Sequence, residues 1–314
     1  MWRSRCSMNC SPSKLVTLHD AIARYVHDGD TIAIEGFTHL ICFAAGHEII
    51  RQRRRALTLC RLTPDLVFDQ MIAAGCARKL VFSWAGNPGA GSLHAFRRAV
   101  EGVGGDDHER LELEEYSHFG MVARLSAGAA GLPFWPLKGY DGTDLPLVNS
   151  RIGKVTCPFT GETLAAVPAL TPDVAIVHAQ RADASGNTQI WGLPGVQKEA
   201  AFAARHVIVV VEELVDETVI RADPSRTVIP SPIVDAVVVE PWGAHPSYVQ
   251  GYYDRDNDFY VAWEQISRDP ARLERYLDAY VYGVATRAEY VAMCGGLDHL
   301  RARARLCAGV SYGY

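Results

Sequence analysis

The sequence predicts an α/β fold, an open and mostly parallel sheet covered by helices. Two observations carry that prediction. Strand and helix signals alternate along most of the 314 residues. The candidate strands at 31–34, 174–177, 207–211 and 234–239 are also continuously apolar, the pattern of strands buried on both faces under helices. Right-handed crossovers follow, and in such sheets ligands bind outside the carboxyl ends of the strands.

In chain order, residues 18–27 have helical spacing through Leu18, Ile22, Tyr25 and Val26 and stop at the turn Asp28-Gly29-Asp30. A strand at 31–34 ends in Glu35-Gly36-Phe37-Thr38. A helix is expected at 44–55, a strand at 57–62, a helix at 66–74, a strand at 80–84 and a glycine-rich loop at 85–91. A helix at 92–101, an exposed link at 102–110, a strand at 111–116 and a helix at 118–130 come next. The stretch 131–163 is rich in Pro and Gly and reads as irregular. Three apolar strands then end at His178-Ala179-Gln180, at Glu212-Glu213 and at Glu240, with His245 a few residues beyond. From about 256 the chain reads as amphipathic helix with tyrosines. Residues 1–14 read as a disordered tail and 15–314 as one domain.

Composition narrows the function. Apolar residues make up 48% and charged residues 21% of the chain, which excludes wholesale disorder. A net charge of -5 argues against nucleic acid as a partner. The densest basic stretches, Arg51 with Arg53 to Arg55 and Arg301, Arg303 and Arg305, read as solvated helix faces. No apolar run approaches the roughly 20 residues of a membrane-spanning helix, so no membrane partner is expected. The eight cysteines contain no C-x-x-C pair. That points to a reduced, cytoplasmic protein with no zinc site.

The strand-end rule yields candidate site residues. Gly86, Asn87, Gly89 and Gly91 precede a helix, where glycines admit close backbone approach and helix amides favour an anion. The same pattern also reads as a tight structural turn. His178, Glu212 or Glu213, and His245 could be assembled into a metal set, although a histidine hydrogen-bonded to its surroundings is the plainer reading and no metal is expected. Glu35 stands at the mouth of the first strand as a potential catalytic carboxylate, against the alternative of a helix cap or an arginine partner. No Gly-x-Ser-x-Gly elbow is present.

Several segments together resemble the α subunit of family I coenzyme A transferases, most closely that of glutaconate CoA-transferase. They are Thr17 to Ala23, Tyr25 to Asp30, Gly36-Phe37-Thr38, Gly131 to Phe134, Asp173 to Gln180, Gly186-Asn187, Ile190 to Gly192, Val234 to Ser247, Gly251 to Asp254 and Asp256-Asn257. The similarity runs in order over roughly residues 15–290. It implies a two-chain enzyme with the site between the chains and no cofactor beyond coenzyme A as substrate thioester. The implied mechanism is ping-pong: a glutamate attacks an acyl-CoA, forms a mixed anhydride, then a glutamyl-CoA thioester, and a second carboxylic acid takes the CoA. In two-chain members that glutamate lies in a Glu-Asn-Gly motif of the β subunit, and this sequence contains no Glu-Asn-Gly. The resemblance therefore implies a β-subunit partner carrying the nucleophile and no catalytic residue on this chain, with Glu35 the alternative. Gly36, Phe37, Thr38, Gly86, Asn87, Gly89, Gly91, His178 and Gln180 are the expected substrate-binding residues. Pro88 stands where relatives carry a hydroxyl residue and Glu35 where they carry glycine, departures that point to an acid other than glutaconate. Two further readings are a two-chain hydrolase that opens a cyclic acyl-CoA with water, with Glu35 activating it, and a non-catalytic acyl-CoA-binding subunit.

Overall fold

The structure, a computed structural model, describes residues 13–102 and 110–305. Its strands are β1 (Thr31–Glu35), β2 (Leu57–Cys60), β3 (Ala77–Phe82), β4 (Glu112–Glu115), β5 (Phe134–Leu137), β6 (Gly153–Thr156), β7 (Thr163–Pro168), β8 (Val174–Ala182), β9 (Thr188–Gln189), β10 (His206–Leu214), β11 (Thr227–Ile229) and β12 (Ala236–Val239). Seven strands form a parallel sheet in the order β4-β3-β2-β1-β8-β10-β12. β9 folds back antiparallel on the end of β8, and β11 pairs with β9.

Neighbouring side chains of one strand enter different cores, as a period of two requires. Ile32, Ile34, Val174 and Ile176 face one helical layer, whereas Ala33 and Ala175 face the other. Both faces are covered, so these strands read as unbroken apolar runs. The first layer contains the helices Phe43–Arg51, Leu66–Ala73, Asn257–Arg268 and Pro270–Leu277. The second is built on His118–Ala129 and Gln197–Ala203. The C-terminal aromatic residues pack on the domain itself: Trp263 is fully buried, meets Tyr276 edge-on at 5.2 Å, and donates from Nε1 to Asp69 at 3.0 Å.

The stretch 131–163, expected to be irregular, instead supplies most of a second, antiparallel sheet in the order β5-β7-β6. Pro136 is accommodated because β5 is an edge strand, where one missing N–H costs no pairing. The strands have four to six residues, too short for their period to show between prolines and glycines. β9 and β11 are likewise too short to be read from the sequence. Of the expected tail, residues 1–12 lie outside the described ones, as do Cys6 and Cys10. Lys14 is tied down: its N–H reaches Ala184 O at 3.1 Å and its carbonyl accepts from Val237 at 2.9 Å. Most of the expected link at 102–110 also falls outside the described residues. Among those described, no helix is long and apolar enough to cross a membrane.

Ile176 lies in register between Ile34 and Ile208 and is fully buried. Ile176→Ala should therefore lower the free energy of unfolding by about 2–5 kcal/mol, read from the urea midpoint at unchanged slope.

Candidate active-site wall

Strand order reverses between β1 and β8. From β1 the chain moves toward β2, and the later strands extend past β8 to β10 and β12. Loops leaving the carboxyl ends of this pair diverge and open a crevice, the usual ligand position in such sheets. The loop after β1 is Gly36 to Leu40, which contains the expected Gly36, Phe37 and Thr38.

That loop is tightly constrained. Thr38 and Leu40 adopt φ of 57° and 58°, which is unfavourable for side chains with a Cβ and persists only where surroundings enforce it. Gly36 allows the chain to fold over itself, since a Cβ there would lie 2.6 Å from His39 O and 2.8 Å from Leu40 O. Ser247 Oγ donates to Thr38 O at 3.0 Å, and Leu40 N to Tyr248 O at 3.0 Å. His39 is buried and stacks on Tyr248. Its Nε2 accepts from Gln250 N at 2.9 Å, so Nδ1 carries the hydrogen and donates to Leu193 O at 3.3 Å. Burial lowers the His39 pKa to about 4, which keeps this neutral tautomer in place.

Beneath the loop lies a buried arginine that sequence pattern alone does not single out. Arg61, fully buried at the end of β2, donates from Nη2 to Gly36 O at 2.7 Å and from Nη1 to Asp65 at 2.8 Å. Its signal is an arginine directly after an apolar strand with Asp four residues on, a pair that only the fold places under β1. Phe37 and Thr38 are partly exposed, and neither amide donates a hydrogen bond among the described residues. Glu35, by contrast, is 2% exposed and accepts from Leu62 N at 3.2 Å. Burial raises its pKa to about 7, opposed by Arg61. Glu35 is thus a carboxylate under the loop, removed from its open side. That overturns the expectation of a water-activating group facing the crevice.

His178 and Gln180 are also buried and bonded to their own chain. Gln180 grips Trp191 twice, Nε2 donating to its carbonyl at 2.8 Å and Oε1 accepting its amide at 3.3 Å. His178 Nε2 lies 2.8 Å from Glu212 Oε1, which also accepts from Tyr253 at 2.6 Å, while Glu212 Oε2 accepts from Trp242 N at 2.7 Å. These side chains hold the loops 191–195 and 240–253 from below and have no surface with which to touch a ligand in this chain. His245 joins Asp256, at 3.0 Å, rather than His178 and Glu212. The described residues contain no cluster of three or more His, Cys, Asp or Glu able to hold a metal.

The glycine loop after β3 behaves as a structural turn with one open face. Asn87 is buried and donates to Tyr260 O at 2.7 Å, Gly86 packs under Trp84, and a Cβ on Gly91 would strike Glu264. The anion site expected at the following helix, His94–Glu101, is filled from within the chain. Phe96 N donates to Asp69 at 2.7 Å and Ser92 N to Glu264 at 2.7 Å. Gly89 and Trp84 remain exposed beside the loop. A cavity of about 540 Å³ lies at the opposite end of β3, lined by Ala77, Arg98 and Leu111, away from all of these loops.

The chain is similar in sequence and fold to known proteins. Residues 15–240 match the family model described as Coenzyme A transferase. The chain is 53% identical over 280 residues to the α-type subunit of the 3-oxoadipate CoA-transferase of Pseudomonas knackmussii, covering 89% of this chain and 98% of that protein. It is 34% identical over 301 residues to the corresponding subunit of the glutaconate CoA-transferase of Acidaminococcus fermentans, covering 90% and 92% of the two. The crystal structure of glutaconate coenzyme A-transferase from that organism superposes with a TM-score of 0.87 at 32% identity, over 96% of this chain and 98% of that one.

Glu35 provides a pH signature of this wall. Its folded pKa of about 7 lies above the ordinary 4.5, so the folded state holds the extra proton. The associated stability is fully present below pH 4.5 and is lost as pH rises through about 7. Glu35→Gln should abolish that loss, on the order of 3 kcal/mol, when unfolding free energies of the two proteins are compared from pH 4.5 to 8.

Proposed function

Because this chain belongs to the coenzyme A transferase family, we propose that it is the α subunit of a two-chain enzyme moving CoA from an acyl-CoA to a carboxylic acid. Residues 15–314 form its one domain in this reading. The nucleophilic glutamate comes from a β subunit, consistent with the lack of any Glu-Asn-Gly in this sequence. The carrying observation is the loop Gly36–Thr38 at the strand-order reversal, where Phe37 and Thr38 are partly exposed residues whose amides make no hydrogen bond among the described residues.

The chemistry suits such a wall. As the partner's carboxylate adds to the thioester carbonyl, a C–O bond forms and the carbonyl π pair becomes an oxyanion. That charge falls as the C–S bond breaks and CoA departs as thiolate. Pre-oriented N–H donors favour the charged state over the neutral carbonyl, and so act on the rate. Phe37 and Thr38 supply these donors, while Leu193, whose carbonyl accepts from His39 of the same loop, offers exposed apolar surface near them.

For the acid we propose 3-oxoadipate, from the 53% identity across nearly the whole of the Pseudomonas protein. Pro88, a departure from glutaconate-type relatives, supports an acid other than glutaconate, whereas Glu35 is enclosed and bears on the loop rather than on the acid. The five described cysteines are free thiols, which supports a reducing, cytoplasmic setting. The hydrolase reading loses its basis with Glu35 buried under the loop.

The test is to purify this chain alone and with its co-expressed partner, then follow CoA exchange from succinyl-CoA to 3-oxoadipate or glutaconate. The complex should transfer with ping-pong kinetics, at least tenfold faster in kcat/KM to 3-oxoadipate, and the chain alone should be inactive. Turnover by the isolated chain, or thioester loss without an acceptor acid, would refute the proposal.

A further inference from the structure

Trans peptide planarity sets a carbonyl and the following N–H in opposite directions. At the peptide joining Gly36 to Phe37, the carbonyl points down into a fully buried guanidinium, with Arg61 Nη2 at 2.7 Å. The Phe37 N–H therefore points away from Arg61, out of the buried layer. Arg61 is itself held by Asp65, through Nη1 at 2.8 Å, and Asp65 is buried at the start of the helix Leu66–Ala73. The clamp is thus anchored in a neighbouring strand and helix, not in the loop it holds.

A second feature controls the outer side. The loop at 191–195 crosses above Phe37, and its last residue is glycine. A Cβ at Gly195 would lie 3.2 Å from Phe37 Cβ and 3.4 Å from Phe37 N. Any side chain there would cover the amide. Gly195 has no positive φ to require a glycine; its bareness answers the close approach of Phe37 and of Gln197 Oε1, which lies 3.1 Å from the same Cβ position, and keeps a methyl group off this N–H.

We propose that Arg61 is a positioning residue for the Phe37 amide, and that Gly195 keeps that amide open to the oxyanion of the transferred acyl group. This rests on the transferase reading above. It adds to that reading two residues of this chain that tune the reaction without providing the nucleophile. Arg61 acts from below by fixing the direction of one N–H, and Gly195 acts from above by leaving it uncovered. Neither needs to contact CoA.

The experiment uses the two-chain complex with succinyl-CoA and 3-oxoadipate, comparing wild type, Arg61→Lys, Gly195→Ala and the double variant. Native mass and thermal melting serve as controls for assembly. Lysine retains the charge but not the fork that reaches Asp65 and Gly36 together. A donor used only in the transition state affects kcat, not KM. Each single variant should therefore lose about 10–100-fold in kcat, with KM within twofold. Because both act on one amide, the double variant should lose little more than the worse single.

A wild-type kcat in Gly195→Ala would overturn the proposal, as would a change confined to KM or losses that multiply. If Arg61→Lys fails to assemble, Gly195→Ala decides alone: its site is partly exposed, and a tenfold fall in kcat at normal melting supports the proposal. An inactive wild-type complex would be a separate failure, that of the transferase reading, and this inference would fall with it.

Discussion

The adjacency of β1 and β8 is the constraint on which the remaining architecture hangs. Two parallel strands that are neighbours in the sheet but far apart in sequence send their chains to opposite sides. Every loop at that edge must then be held by something other than a regular hydrogen-bond ladder. The protein uses side chains for this. Arg61 holds Gly36, Ser247 holds Thr38, His39 holds Leu193 and Gln250, and Gln180 holds Trp191.

This accounts for the polar groups concentrated in the interior. Glu35, His39, Arg61, His178 and Gln180 are all buried, and burial without partners would cost each of them heavily. Nearly all are partnered by loop backbone, which converts a desolvation cost into a fixed loop geometry. The shifted pKa values have the same origin. Burial drives His39 down to about 4 and Glu35 up to about 7. Both shifts favour the neutral form, and a neutral group can be enclosed under a loop without a counterion.

The sequence made the parallel sheet legible because its strands are apolar on consecutive positions, and it placed polar residues at strand ends through the carboxyl-edge rule. It also placed Gly36 to Thr38 at a strand end, and the structure puts them in the loop at the β1–β8 reversal. It could not separate residues that face the crevice from those that hold it up. His178 and Gln180 occupy strand-end positions like any site residue, yet their partners Glu212 and Trp191 come from 34 and 11 residues away, and only the fold brings them close. Asn87 and the helix after it look like an anion site until Asp69 and Glu264, from other helices, are seen to take the free amides. The antiparallel sheet was hidden because Pro136 and the glycines of 139–161 punctuate strands too short to show a period.

A wall of this construction has donors, while Glu35, the carboxylate that ends β1, is enclosed beneath it. An acyl transfer that proceeds through an anhydride needs both a carboxylate nucleophile and a stabilised oxyanion, at opposed positions around one carbonyl carbon. Placing them on separate chains divides the requirements. In the proposed transferase one chain is free to be rigid, with its amides fixed by buried clamps and with Glu35 and His39 beside them favoured in their neutral forms. The proposed partner would then present the ionised carboxylate. Glu35 is enclosed beneath the loop, where burial raises its pKa to about 7 and favours the protonated form. In the proposed reading, the burial that fixes this loop as a template for an oxyanion also encloses the adjacent Glu35 carboxylate, which is a physical reason for a nucleophile supplied by a second chain.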